Sequence, residues 1–572
     1  MTGRHSLTRP PGVEARAGKF PGPSLIPELN AIQARVGWLP REELENLART
    51  TRRPRYEIEG LISFYPHFRT SPPPKVSVSV CRDLACWLRR GGDPAALEVG
   101  PDVEVVEVSC LGRCDIAPAG AVNEHPAPVA DLPALIEQAA AGRLQTAHAT
   151  GLADPWPNDP YPAGSTVPER YATLKALLRG DLTPDQIITA LKDSGLRGMG
   201  GAGFPTGTKW ELVRAAEGTL KYAICNADES EPGTFKDRQI LATQPHLVLE
   251  GLLLGMAVVG AAQGWVFLRH EYGPEEHVLR AEIDALRAGG MVGADACGSG
   301  RPLEIDVFVS PGGYILGEET ALLECMEGHR GEPRNKPPFP GNYGLYGRPT
   351  LMNSVETFAD VPVIVQRGAQ AWRDIGLGEA VGWKFFAVSG HVVRPDVYCV
   401  PAGTTIRDLI ELAGGVAEGG RVGAVQPGGA SSNFLGPGDL DVPLDFGTLA
   451  AAGSMLGSGA LVVLAEGTDV LAAATNVLRF FRNESCGKCV PCRVGSTKAH
   501  DILRHALDTD GRLDSPAQGR ILELEEVMRK TSICGLGQVA LGPVVSVLGL
   551  DKGGTAARPQ PKPEGTAGQP GP

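Results

Sequence analysis

Near the N-terminus, Leu25, Ile26, Leu29, Ile32, Val36 and Leu39 recur at helical spacing, and Pro40-Arg-Glu-Glu opens a second helix. The period then changes. VSVSV (76–80) and VEVVEVS (103–109) alternate as half-buried strands do, and each runs directly into a cysteine. This predicts a small α/β unit with cysteines on the loops after its strands. Residues 142–168 carry many Gly and Pro and no periodicity, so they are expected to form a linker. A larger α/β pattern follows. FFAVSG, VYCV and LVVL then flank a helical TIRDLIELAGG, which suggests a β-grasp-like unit. The last patterned stretch is helical, with VLRFFRNESCGKC and ILELEEVMRK on the face of a bundle. The expected fold class is α/β multidomain. Its divisions are a tail at 1–23, a helical segment at 24–70, the cysteine unit at 71–141 and the linker at 142–168. The large α/β domain at 169–378, the β-grasp unit at 379–466, the helical end at 467–550 and a tail at 551–572 complete it.

Composition narrows the function classes. At about 150 residues per domain, 572 residues make room for roughly four domains. Lys and Arg number 54 against 66 Asp and Glu, a net charge of −12, which argues against nucleic acid or an anionic membrane as partner. The longest apolar candidate, 251–262, falls short of the ~18 residues a membrane span needs and is preceded by Glu250. MTGRHSLTRPPG at the start lacks the apolar core of a signal peptide. A cytoplasmic location is expected, with any membrane association made through partners.

The densest glycine run is GLRGMGGAGFPTGTKW (195–210), within which Gly198–Gly203 satisfies G-x-G-x-x-G. The context fails the ordinary dinucleotide fingerprint, because QIITALKDSG before it reads as a helix where that fingerprint needs a strand. A Walker loop fails as well, since Gly207-Thr-Lys209-Trp lacks the adjacent G-K-[ST]. A tight glycine loop followed by a lysine still suits a backbone cradle for phosphate or a close approach to a flat ring. CNADESEPGTFKDR (225–238) follows the apolar KYAI, and polar residues at a strand's end are where α/β proteins hold ligands. Asn226 can donate and accept, while Asp228, Glu229 and Glu231 can accept. A third segment, GGYILGEETALLECMEG (312–328), is expected to open a helix bearing Tyr314 and the pair Glu318-Glu319. KPPFP (336–340) reads as a rigid loop presenting one aromatic, and LMNSVET (351–357) puts Asn353 at a helix start.

Eight of the twelve cysteines are clustered, which in a reducing compartment reads as metal ligation. Cys486-x2-Cys489-x2-Cys492 with a distant Cys534 suits a [4Fe–4S] cubane, with glycines and Pro491 turning around it; zinc is the alternative. Cys81-x4-Cys86 and Cys110-x3-Cys114 fit tetrahedral zinc or [2Fe–2S], and their spacing does not decide. Cys225, Cys297, Cys325 and Cys399 are scattered and read as buried structural thiols.

GLRGMGGAGFPTGTKW, NADESEPGTFKDR, GEETALLECMEG with KPPFP, and ESCGKCVPCRVG with SICGLG resemble the 51-kDa flavoprotein of NADH:quinone oxidoreductase (complex I), its F subunit. LIPELNAIQARVGWLP, EIEGLISFYPHF, CRDLAC and CLGRCDIAPA resemble the 24-kDa partner of that flavoprotein, the thioredoxin-like [2Fe–2S] protein known as the E subunit. Together these cover about 25–550, like the fusions of the two that serve as diaphorase subunits of NAD-linked hydrogenases and formate dehydrogenases. The resemblance implies a thioredoxin-like domain, a Rossmann-like FMN domain, a β-grasp domain of the SLBB type and a helical [4Fe–4S] bundle. It implies FMN on Gly198, Gly200, Gly201, Lys209, Asn226, Asp228, Tyr314, Gly317, Glu318, Asn353 and Ser354. It implies NADH on Gly201, Ala202, Phe204, Glu231, Glu319, Lys336 and Phe339. The cofactors implied are FMN, NAD(H), one [4Fe–4S] and one [2Fe–2S] cluster, with no catalytic side chain beyond the flavin. Three departures stand out: Met199 where Arg is usual, Leu212 where an aromatic is found, and Ser354 where a second Asn is common. Glu231 and Glu319 should disfavour the 2′-phosphate of NADPH. The chain carries no quinone, molybdenum or nickel signature, so it needs partners. These are an iron–sulfur protein resembling the G subunit of complex I, and a formate dehydrogenase, hydrogenase or complex I core. The fused N-terminal part favours the soluble enzymes, while DESEPGTFKDR reads closest to complex I. A zinc-binding scaffold without redox function is the remote alternative.

Overall fold

The computed structural model describes residues 24–93, 97, 99–144, 156–509 and 511–550. The two expected tails and residues 145–155 of the expected linker lie outside them. Three helices open the chain, Ile26–Val36, Arg41–Thr51 and Arg55–Ile62. Their apolar faces, including Leu29, Leu44 and Ile58, pack into the core that also holds Leu316 and Leu323 from the large domain.

The first sheet contains β1 (Val76–Cys81), β2 (Val103–Val108), β3 (Ala119–Val122) and β4 (His125–Pro128), ordered β2-β1-β3-β4. β1 and β2 are parallel with Cys81 opposite Val108, so both strands deliver their cysteines to the same edge. β3 and β4 are additional to the two strands expected from the alternation. They are four residues each and are defined by antiparallel pairing, β3 onto β1 and β4 onto β3, rather than by their own pattern.

The second sheet holds β5 (Tyr222–Ala227), β6 (Gln263–Leu268), β7 (Glu304–Val309) and β8 (Thr350–Ser354), ordered β7-β6-β5-β8 and parallel throughout. Parallel sheets are covered on both faces, which is why YAIC and WVFL are continuous apolar runs. Helix Pro245–Val259 is buried almost all round. Its apolar run belongs to the core, and the backbone of Phe358 approaches Gly251 so closely that any Cβ there would collide with the Phe358 carbonyl. Among the described residues no single helix is long and apolar enough to cross a membrane.

Residues 156–168, expected to be linker, dock on this domain. Trp156 Nε1 donates to Thr243 (2.8 Å), and the Tyr161 hydroxyl donates to the buried Glu250 (2.7 Å).

The third sheet is β9 (Trp383–Gly390), β10 (Asp396–Pro401), β11 (Val422–Gln426) and β12 (Ala460–Ala465), ordered β10-β9-β12-β11 with β9 and β12 parallel. Helix Ile406–Leu412 packs on it in a β-grasp arrangement. Lys384 of β9 reaches Glu356 of the large domain at 2.7 Å, both fully buried, and Lys236 joins them at 2.8 Å. Helices Val470–Asn483, Val490–Thr509, Ser515–Thr531, Gly535–Val539 and Gly542–Leu550 form the C-terminal bundle.

Candidate redox and nucleotide site

The glycine run closes into a loop between helices Pro184–Ser194 and Thr206–Ala215. Gly198 N donates to Phe204 O and Thr206 N to Leu196 O, both at 2.9 Å, and Arg197 Nε donates to Gly203 O at 2.6 Å. Gly201 and Gly203 have φ of +123° and +62°, which side chains rarely tolerate. A Cβ on Gly203 would stand 2.7 Å from the ring of Phe446, which also stacks on the Arg197 guanidinium at 4.6 Å. A Cβ on Gly200 would lie 3.1 Å from Ser354, so the loop rests against the end of β8.

Polar residues converge on that edge from β5 and β8, whose register sets Cys225 beside Asn353 and Asn226 beside Ser354. Asn353 lies on the strand, not at a helix start as expected; parallel pairing to β5 holds it extended, and the helix begins at Val355. Its Oδ1 accepts from Trp210 Nε1 at 3.0 Å. Asn226 Nδ2 donates to Gly317 O at 2.9 Å. Asp228 is buried; Oδ2 accepts from Ser230, while among the described residues Oδ1 has no hydrogen-bond partner, and burial pushes the carboxyl up to about 7. Lys209 Nζ donates to Met352 O at 3.0 Å, and burial lowers its pKa.

Tyr314 sits on a single 3-10 turn, Tyr314–Gly317, rather than on the expected helix. The chain breaks at Glu318, which turns extended to cap helix Glu319–Met326 through Thr320 N and Ala321 N, each 2.9 Å. Lys336 bridges Glu318 and Glu319 at 2.8 and 2.7 Å. Phe204 and Phe339 are exposed, at 45% and 57%. Both oxygens of Glu231 are engaged: Oε2 accepts from the Tyr314 hydroxyl (2.5 Å) and Oε1 from Ser431 N (2.6 Å).

The cysteines assemble at two places. Cys81, Cys86, Cys110 and Cys114 are all buried, with Cys110 and Cys114 sulfurs 3.8 Å apart. Gly112 N and Ala119 N donate to the sulfurs of Cys110 and Cys86. Hydrogen bonds from Cys114 and Cys81 hold the Cys110 thiol well below its usual range. In the bundle, Cys486 and Cys489 lie on the loop before helix Val490–Thr509, Cys492 on its first turn, and Cys534 at the start of Gly535–Val539. Burial pushes Cys492 up to about 11 and Cys534 to about 12, so metal binding must displace their protons. Cys225 and Cys325 are buried as expected, whereas Cys297 and Cys399 are only half-buried.

Residues without a local signal complete the site. Glu484, next to the CGKC loop, accepts from Ser109 Oγ (2.6 Å) and Tyr314 N (2.9 Å), joining both cysteine sets to the strand-end edge. Phe446, Ser431 and Arg269 likewise arrive from distant parts of the chain. Only the adjacency of Glu484 to the cysteine motif could have pointed to any of them.

A glycine cradle, strand-end polar groups and two cysteine sets define a flavin- and iron–sulfur-binding oxidoreductase. The Nuo51 FMN-binding domain family matches residues 191–363, and the iron–sulfur binding region of NADH-ubiquinone oxidoreductase F matches 472–550. The thioredoxin-like [2Fe–2S] ferredoxin family matches 19–134 and the SLBB domain 385–432. The chain is 43% identical to the NADH-quinone oxidoreductase F subunit 2 of Rhizobium meliloti (strain 1021) over 374 residues, 65% of this chain and 87% of that one. It is 40% identical to HndC, a subunit of the NADP-reducing hydrogenase of Solidesulfovibrio fructosivorans, over 64% of this chain and 74% of that one. A crystal structure of NAD+-reducing [NiFe]-hydrogenase superposes with a TM-score of 0.76 at 31% identity, covering 92% of both chains. The chain belongs to the family of the NADH-quinone oxidoreductase F subunit. It is an NADH-dependent oxidoreductase using FMN, one [4Fe–4S] and one [2Fe–2S] cluster, and its relatives are subunits of multisubunit redox complexes.

Proposed function

We propose that the chain is the NAD-linked arm of a soluble hydrogenase or formate dehydrogenase in the cytoplasm. In that role it passes electrons between NADH and an iron–sulfur partner resembling the G subunit of complex I. One observation carries this reading. The likeness to the hydrogenase chain spans 92% of both, N-terminal cysteine unit included, whereas the F-subunit relative covers 65% of this chain. The second reading, the NADH-input subunit of respiratory complex I, is favoured by the higher identity to the F subunit, 43% against 31%.

Bound FMN would supply the exchange between a two-electron hydride donor and clusters that accept one electron at a time. The residues of this chain do the holding. Gly198, Gly200 and Gly201 let the loop backbone approach the flavin, since a side chain would fill that space. Lys209 is poised for phosphate, because an anion restores the ammonium charge that burial disfavours. The unpartnered Oδ1 of Asp228 is available to accept from the ligand, beside Asn226, Asn353 and Ser354. Tyr314, Gly317 and Glu318 close the opposite side. Ala202, Phe204 and Phe339 supply apolar surface for the nicotinamide nucleotide, with Glu319 and Lys336 as a charged rim. Glu231 acts by fixing the Ser431 loop against Tyr314.

Two measurements test this. Anaerobic NADH is expected to bleach the visible spectrum of the purified protein, and an unchanged spectrum would remove the reading. Mass spectrometry of chains co-purifying under nitrogen is expected to find a nickel- or molybdenum-binding subunit. Proton-pumping membrane subunits would replace the first assignment with the second.

A further inference from the structure

One cation ties the first cysteine set directly to the strand-end edge of the large domain. Arg269 directly follows β6 and is 2% exposed. Its Nη2 donates to the carbonyl of Cys110 at 2.7 Å, and its Nη1 to the carbonyl of Glu229 at 2.5 Å. Nε and Nη2 rest on Glu271 at 2.9 and 2.8 Å. The guanidinium lies 5.0 Å from the Tyr272 ring. That ring fills the space where Gly112 lacks a side chain, with its hydroxyl overlapping the position a Cβ would take. Nothing in this packing leaves the arginine room to swing away. The nearby Arg113 and Arg238 place their charges on Glu275 and Asp115.

We propose that Arg269 is a positioning residue that sets the reduction potential of the [2Fe–2S] cluster on Cys81, Cys86, Cys110 and Cys114, and that Glu271 opposes it. This rests on the cofactor reading above. Reduction takes one electron from an external donor, turns one Fe(III) into Fe(II) and adds one negative charge, with no bond made or broken. A fixed cation in a buried site stabilises that added charge more than the oxidised form. By donating to the Cys110 carbonyl, Arg269 also offsets the negative end of a ligand's own peptide dipole. Glu271 damps the effect through its bidentate contact, so the two side chains pull the potential in opposite directions.

The test is an anaerobic redox titration of the holoenzyme with dithionite, followed by EPR, for wild type, R269Q, R269K and E271Q. R269Q is expected to lower the equilibrium constant for [2Fe–2S] reduction about tenfold, a negative shift of about 59 mV for a one-electron couple. R269K should recover more than half of this, E271Q should move the potential positive, and the [4Fe–4S] midpoint should stay fixed in all three. Shifts of the same sign in R269Q and E271Q, or less than about a twofold change in R269Q with a full [2Fe–2S] spin count, would overturn the proposal. If R269Q fails to assemble the cluster, E271Q decides alone, and a zero or negative shift there overturns it. A wild type without a [2Fe–2S] signal would instead sink the cofactor reading, and the proposal with it.

Discussion

Cys81, Cys86, Cys110 and Cys114 are between 1% and 4% exposed, Cys81 ending β1, Cys86 and Cys114 on helical turns and Cys110 on a loop. Cys486, Cys489 and Cys534 are half-buried at helix ends. The inner set is walled by ionisable side chains of the chain itself, Asp83 and Arg269 both touching the Cys110 backbone. The outer set is flanked by Val490 and Val494, 59% and 46% exposed. Cluster potentials respond to hydrogen bonds, charge and solvent exposure. The inner site is therefore set by residues of this chain, while the outer site also answers to whatever covers its surface.

The strongest way to break the comparison is to remove one ligand from each set. Cys489→Ser is expected to lose the [4Fe–4S] signal and about four irons per chain, leaving the inner signal intact. Cys110→Ser should lose about two irons while keeping the seam to the large domain, since the Asp83 and Arg269 contacts end on the backbone N and O of this residue. Iron assay with EPR at two temperatures separates them. Equal loss of both signals in either variant would mean the sites are not independent.

Glu484 is the joint between the two regions, and its removal is the next largest effect. Glu484→Ala deletes two hydrogen bonds to a carboxylate, about 1.5–3 kcal/mol each before relaxation. Glu484→Gln should retain part, because its amide nitrogen cannot accept. The urea concentration at which the [2Fe–2S] absorbance bleaches is expected to fall in the order wild type, Gln, Ala. A shift confined to the [4Fe–4S] signal would show that the joint does not carry the inner site.

The two regions should also answer pH with opposite sign. Burial raises Asp83 from 3.8 to about 8, so its contribution to stability is full below its unfolded pKa and drains as pH rises through 8. Burial lowers His500 from 6.5 to about 4, helped by Arg482, whose Nη1 donates to its Nδ1 at 2.9 Å. That contribution is full above 6.5 and is lost as pH falls through 4. Local hydrogen exchange, corrected for intrinsic rates, is expected to show the Cys110 loop loosening towards alkaline pH and the 490–509 helix towards acid. Asp83→Asn and His500→Gln should each flatten only their own profile.

Much of this was legible because its signals are local. Strands running straight into cysteines, the glycine loop between two helices and the CGKC spacing all lie within short stretches. β3 and β4 were not legible, since prolines at 118, 126 and 128 break their pattern and antiparallel pairing, β3 onto β1 and β4 onto β3, makes them strands. Tyr314 sits in a run of helical period, yet Glu318 breaks that run to cap its own helix. The attachment of Glu231 to Ser431 crosses 200 residues and leaves no trace in either segment.

The smallest effect sharpens the contrast at the surface. Val490 is 59% exposed, so Val490→Asn should change the stability of the isolated chain by no more than about 0.5 kcal/mol. Leu84→Ala, at a 2% exposed position beside the inner set, should cost about 2–5 kcal/mol. If the outer surface receives a partner, Val490→Asn should instead weaken co-purification of that partner while leaving both cluster signals of the isolated chain unchanged. A melting shift comparable to that of Leu84→Ala would mean the Val490 face is structural, and the contrast between an inner and an outer site would fail there.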